Sequence, residues 1–165
     1  MTISHTGPAR RAADIEGGLT VLRESGFRAT AARRLVLEAL FAADGPVSAD
    51  DLASGLGGQT SRSDLASVYR NLETLEEIGL IHHLHVGHGP GLYVLAREGG
   101  REYLTCHRCG ALRALDSSAF DGVRDAVRSA SGYEARFAHF PIVGLCPACA
   151  GSANGNGNGN GAGHP

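Results

Sequence analysis

No run of apolar residues in this 165-residue chain approaches the roughly 18 that a helical membrane span needs, so no membrane partner is expected. The segment Met1–Arg11 lacks the apolar stretch of a secretory signal, which makes the cytoplasm the expected compartment. Lysine is absent: all fifteen basic residues are arginine. The formal net charge is −2, so any surface that attracts nucleic acid must be local. Cysteine is sparse, four residues in two pairs. In a reducing compartment such pairs point to metal or redox chemistry before structural disulfides.

What is present is enough for packed cores. Hydrophobic residues make up 42% of the chain, and its length suits one ordinary domain or two small ones. Residues 1–13 are polar and small, and are expected to be flexible. From residue 14 to residue 96 the pattern is helix, helix, helix, helix, hairpin. Ile15, Leu19 and Leu22 repeat at helical spacing until Gly26. Thr30 reads as the N-cap of a helix over Ala31–Ala43, and Ser48 as the cap of a short helix with Asp50 and Asp51 in its first turn. A further helix over Ser63–Ile78 has an apolar face of Leu65, Val68, Leu72, Leu75 and Ile78. Leu80–Val86 and Leu92–Leu95 then read as strands around a Gly-His-Gly-Pro-Gly turn. That order is a winged helix-turn-helix. Residues 97–150 read as a second, smaller α/β unit for dimerisation, with a helix ending at Gly132 and a long strand over Tyr133–Val143. The expected class is therefore α+β. The Gly/Asn repeats of residues 151–165 carry no apolar content and read as a disordered tail.

Cys106-His107-Arg108-Cys109 and Cys146-Pro147-Ala148-Cys149 are two C-x-x-C knuckles. Two intervening residues let both sulfurs of a pair reach one ion, and four thiolates close a tetrahedral Zn²⁺ site with no position left for substrate. A redox pair would need one C-x-x-C at a helix N-terminus in a βαβ setting, which is absent. Structural zinc is the expectation, with the small second unit depending on it to fold. His107, between two of the thiolates, is expected to be exposed.

On the helix beginning near Ser63, burial of Leu65, Val68 and Leu72 would leave Ser63, Ser67, Tyr69 and Arg70 facing outward. Small residues at its start suit entry into a major groove. Ser67 can bond a phosphate or a base edge, Tyr69 can touch a thymine methyl, and Arg70 can reach phosphate or guanine. Arg28 and Arg33 could hold the DNA backbone nearby. A solvated helix face is the plain alternative, and the wing that follows favours duplex DNA.

With these pieces in place the chain resembles the ferric uptake regulator family. The resemblance rests on Gly26–Arg34, on Val47–Leu52, on Ser67-Val68-Tyr69-Arg70-Asn71-Leu72, on Gly79-Leu80-Ile81 and on both cysteine pairs in register. It implies a homodimer that binds an AT-rich palindromic operator when a regulatory metal is loaded. Two departures bear on that metal. The His-rich run usual before the first knuckle is replaced by Glu98–Tyr103, without histidine, and Pro46 stands near the usual histidine ahead of the third helix.

Another histidine cluster, His82-His83-Leu84-His85-Val86-Gly87-His88, resembles the wing of the family's nickel-uptake regulators. Carried over residue by residue, the regulatory ligands are His83, His85 and His139. His88 and His82 are possible additional ligands. On a strand His83 and His85 share a face. Imidazole-rich sites suit Ni²⁺, Cu²⁺, Zn²⁺ or Fe²⁺, and Ni²⁺ is favoured here.

The expected function is a metal-dependent repressor of metal-homeostasis genes. In it, an ion shared by the wing and the later strand fixes the angle between the domains. The rival is a relative that binds DNA without sensing metal. An enzyme would need a general base beside the metal or a lone activated C-x-x-C, and neither is apparent.

Overall fold

The computed structural model describes residues 10–87, 89–96, 100–137 and 140–151. The predicted loose N-terminal segment in large part, the Gly/Asn tail, His88 and His139 lie outside these residues. By contacts the chain forms two compact units. One holds the described residues up to Arg101 together with Phe140, and the other holds Glu102–Phe137 and the described residues from Pro141.

The first unit begins with α1 (Ile15–Glu24), capped by the Asp14 carboxylate, which accepts from the Gly17 N–H. In α2 (Ala31–Ala42) the Thr30 hydroxyl accepts from the Arg33 N–H. Strand β1 (Val47–Ser48) leads into α3 (Ala49–Ser54), whose start is a reciprocal capping box between Ser48 and Asp51. Next come α4 (Leu65–Glu77), β2 (Ile81–His85) and β3 (Gly91–Leu95). Strands β2 and β3 pair antiparallel and β1 adds to β3, giving the sheet order β1-β3-β2. Leu22, Leu37, Leu52, Leu72, Leu75 and Leu80 are fully buried and join the helices and the base of the wing in one cluster. This is a winged helix.

Gly55 ends α3 with φ +84°, and an added Cβ would sit 2.4 Å from the Thr60 carbonyl oxygen. Both the left-handed backbone and the close approach of the loop toward α4 exclude a side chain there. Gly55→Ala is expected to destabilise the first unit by about 2–3 kcal/mol, from the left-handed cost plus displacement of the loop. A denaturant midpoint with unchanged slope checks it.

The second unit contains β4 (Arg101–Cys106), β5 (Leu112–Asp116), α5 (Asp121–Ser131), β6 (Ile142–Gly144) and α6 (Pro147–Gly151), with sheet order β5-β4-β6 and β6 parallel to β4. The Glu102 carboxylate accepts from the Ser117 hydroxyl and pairs with Arg124, whose guanidinium also lies 5.7 Å from the Phe137 ring. Phe120 packs against the same ring. The long strand expected over Tyr133–Val143 is corrected to Ile142–Gly144, and Tyr133–Phe137 has no regular structure. Pro141 has no N–H to give a ladder, and among the described residues Tyr133–Phe137 pair with no strand. Among the described residues no helix is long and apolar enough to cross a membrane.

Candidate DNA interface and metal centres

Helix α4 starts two residues later than its sequence signature suggests. Asp64 is its N-cap, accepting from the Ser67 N–H at 2.8 Å. Val68, Asn71, Leu72 and Leu75 turn inward. Tyr69 is 40% exposed, and Arg70 is exposed beside it. Ser67 is half-buried, and its hydroxyl and carbonyl both receive the Asn71 side-chain amide. Ser63 is half-buried and anchored by its N–H on the Ala53 carbonyl. Leu65 is a correction. Expected inward, it is 37% exposed. Side chains lean toward a helix's N-terminus, so an apolar residue in the first turn projects past the core the later turns cover. Leu65, Ala66 and Tyr69 thus form an exposed apolar strip at the leading end of α4, flanked by Arg62 and Arg70.

The two arginines near α2 differ. Arg28 is exposed. Arg33 donates from Nη1 to the Arg28 carbonyl at 2.6 Å and lies 5.4 Å from the Phe27 ring centre. It braces the turn that presents Arg28.

Cys106, Cys109, Cys146 and Cys149 converge, their sulfurs all within 4.8 Å of one another. The local backbone makes this possible. Gly110, at φ +73°, donates to the Cys106 carbonyl, and the Cys106 N–H donates to Ala111. The His107 N–H and ring both meet the Gly144 carbonyl, and Arg108 donates to the Cys149 carbonyl at 2.9 Å, stitching the knuckles together. His107 is exposed, as expected.

Backbone N–H groups of Cys146 and Cys109 aimed at Cys106 lower its pKa to about 5, and the adjacent Cys146 sulfur raises that of Cys149 to about 12. One sulfur ionises readily because backbone N–H groups face it, and another resists because it shares its proton with neighbouring sulfurs. Four thiolates this close would repel one another. A dication relieves that repulsion. Tetrahedral Zn²⁺ with bonds of about 2.3 Å needs sulfurs about 3.8 Å apart, and Cys109 and Cys146 stand 3.8 Å apart. The donor set fits structural zinc.

On β2, His83 and His85 share a face, with ring centres 5.2 Å apart and planes at 85°. His83 is only 6% exposed, and its Nδ1 hydrogen-bonds the Glu76 carboxylate of α4. Across the ladder His83 faces Tyr93, with ring centres 6.1 Å apart. Phe140, which follows His139 in sequence, places its ring 6.1 Å from that of His85. His82 lies on the other face of the strand, opposite Val94, where burial lowers its pKa. The sequence reading missed Glu76. Its signal was slight: an acidic residue in the last turn of α4, just before a tight return into the histidine strand.

A winged helix whose α4 leaves Tyr69 and Arg70 exposed, followed by a small unit in which four cysteine sulfurs converge, is the architecture of a class of DNA-binding metalloregulators. The chain belongs to the ferric uptake regulator family, whose model matches residues 24–140. Members of this family are DNA-binding regulators, and the chain is not an enzyme. It is 26% identical over 141 residues to the peroxide operon regulator of Bacillus subtilis, covering 86% of this chain and 97% of that one. The solved structure of the ferric uptake regulator from Pseudomonas aeruginosa with manganese is 25% identical, with a TM-score of 0.61, over 78% of this chain and 96% of that one. A zinc uptake regulator solved in complex with zinc and DNA is also 25% identical, with a TM-score of 0.53, over 85% and 95% of the two chains.

Proposed function

We propose that this chain is a metal-responsive transcriptional repressor that reads an AT-rich palindromic operator as a homodimer and is loaded by Ni²⁺. The observation that carries the metal response is the pair His83 and His85 on one face of the wing. With His139 they would form an imidazole-only donor set; Phe140, the next residue in sequence, has its ring 6.1 Å from that of His85. Such a set suits Ni²⁺ ahead of the oxygen-seeking ions. Zn²⁺ and Fe²⁺ are the competing regulatory ions. Cys106, Cys109, Cys146 and Cys149 would hold a separate structural Zn²⁺.

For DNA, Tyr69 and Arg70 meet base edges or phosphate, Leu65 supplies apolar contact, and Arg28 holds the backbone. Ser63 and Ser67 shape the start of α4, and Arg33 supports Arg28. The dimer is favoured by the apolar surface one copy leaves open in its second unit: Tyr133 is 77% exposed, Val143 64%, Val123 45% and Leu145 40%. A two-fold dimer reads a palindrome, and the separation of its two α4 helices selects the half-site spacing. Ligation at His83, His85 and His139 ties the wing to the segment leading into the second unit. Metal thereby favours the conformation whose helix separation matches the operator.

The test is DNA binding by the full chain to an AT-rich palindrome at fixed salt, with chelator and then with Ni²⁺, Zn²⁺, Mn²⁺ or Fe²⁺ added singly. A hundredfold gain with Ni²⁺ alone, about 2.7 kcal/mol of coupling, is expected. A gain with Zn²⁺ or Fe²⁺ instead reassigns the ion. Tight binding that ignores every metal leaves a repressor without a sensor.

A further inference from the structure

We propose that Glu76 is the positioning residue of the wing metal site: it fixes the tautomer of His83 and ties that ligand to the reading helix. The inference rests on the reading of His83 and His85 as metal ligands. It goes beyond it by assigning a role to a residue of α4 that would touch no metal and no DNA.

Three observations converge. The Glu76 carboxylate meets Nδ1 of His83, a ring almost wholly withdrawn from solvent. A carboxylate is an acceptor, so Nδ1 carries the proton and the metal-binding lone pair resides on Nε2. Buried imidazoles oriented in this way are both more basic and more rigid as ligands. Second, His85 stands edge-on to His83 and Tyr93 flanks it across the ladder, so the ring cannot turn without disturbing neighbours on both sides. Third, Tyr69, Glu73 and Glu76 recur at helical spacing, one above another on α4. Glu76 itself meets the wing at His83, and α4 packs on β2 there. The face of α4 that carries Glu76 is therefore the face that meets the wing, and it continues to Tyr69 on the DNA-reading turn. Because the helix is stiff, holding Glu76 holds Tyr69 seven residues away, about 10 Å along the axis.

A carboxylate beside a histidine is also a common surface ion pair of little consequence. Burial decides between these readings here, since an exposed pair would leave the ring free to rotate.

The experiment compares the full chain with Glu76→Ala, Glu76→Gln and, as a control on the same face, Glu73→Ala. Two readouts are taken. Long-range ¹H–¹⁵N spectra of the metal-free protein report the His83 tautomer: Nδ1–H is expected in the parent chain and in E76Q, whose amide oxygen still accepts, and is lost in E76A. Competition titration with Ni²⁺, and in parallel with Zn²⁺, is expected to show 10- to 100-fold weaker binding for E76A, substantial recovery in E76Q, and no change in E73A. At saturating Ni²⁺ the metal-induced gain in DNA affinity should also be at least tenfold smaller in E76A. Parent affinity and an Nδ1–H tautomer in E76A would overturn the positioning role while leaving the sensor intact. An undiminished DNA gain would overturn the tie to α4. If the parent chain binds no ion beyond the one held by cysteine, the sensor reading and this proposal fall together.

Discussion

Stripping the metal from the four-cysteine site, or replacing Cys106 with serine, is expected to unfold the second unit and leave the first folded. The asymmetry follows from the two cores. In the first unit a cluster including Leu22, Leu37, Leu52, Leu72 and Leu75 joins α1 to α4 and the wing. In the second, among the described residues, the buried apolar side chains are Tyr103, Cys106, Phe120 and Pro141, and α5 contributes no buried residue at all. So small a core supplies at most a few kcal/mol against the entropy of ordering the chain. Zn²⁺ bound by thiolates contributes on the order of 10–16 kcal/mol at neutral pH, and in a domain without a preformed site that binding energy is folding energy. The four sulfurs come from β4 (Cys106), from the loop that follows it (Cys109), from the residue just before α6 (Cys146) and from α6 (Cys149), so one ion would close the unit end to end. Cys106→Ser should reduce the expected one zinc ion per chain to a small residue and, on size exclusion, abolish the proposed dimer. One of two thermal transitions should disappear, while the helical signal of the first unit persists. A Cys106→Ser protein that keeps its zinc and both transitions would show that the cluster is not what holds the unit.

The elements that carry the fold were legible because each is marked locally. Helix starts were announced by Thr30 and Ser48, whose hydroxyls accept from N–H groups of the first turn as expected. The end of α3 was announced by Gly55, which takes the left-handed conformation. The four-cysteine cluster was legible in the sequence, since paired C-x-x-C spacing admits few other uses, and the four sulfurs do converge. What escaped depends on relations between distant parts of the chain. Burial periodicity placed Leu65 inward because it matches Val68 and Leu72, but periodicity does not know where the neighbouring helices stop. Glu76 carries little mark in the sequence, because its partner His83 reaches it only when the strand folds back on α4. The expected strand over Tyr133–Val143 shows a third limit. Its alternating residues satisfy strand chemistry, but a strand also needs a neighbour, and among the described residues of this stretch β4 supplies a parallel partner at Ile142–Gly144 only.

Helix α4, proposed above as the DNA reader, yields the other large effect. Tyr69→Ala with Arg70→Ala is expected to lower operator affinity by 100-fold or more, since each side chain that meets a base or phosphate is worth about 1–3 kcal/mol. Both residues are exposed, so thermal stability should change by less than about 0.5 kcal/mol, which separates loss of contact from loss of fold. The single variants then say what each contact is. If Arg70 neutralises a phosphate, Arg70→Ala weakens binding to all sequences alike and reduces the slope of log K against log salt by about 0.9. If it reads guanine, the slope holds and discrimination relaxes at one base pair. Tyr69 has no charge, so its loss should leave the salt slope unchanged. Its effect should be reproduced by replacing thymine with deoxyuridine at the contacted step, which removes only the methyl group. Leu65, at the leading end of the same apolar strip, should respond to that replacement as well. A double variant that still binds with parent affinity would mean that α4 is not the reader. The exposed strip of Leu65, Ala66 and Tyr69 would then need another occupant, because an apolar surface on the leading turn of a helix is otherwise an unfavourable thing to show to water.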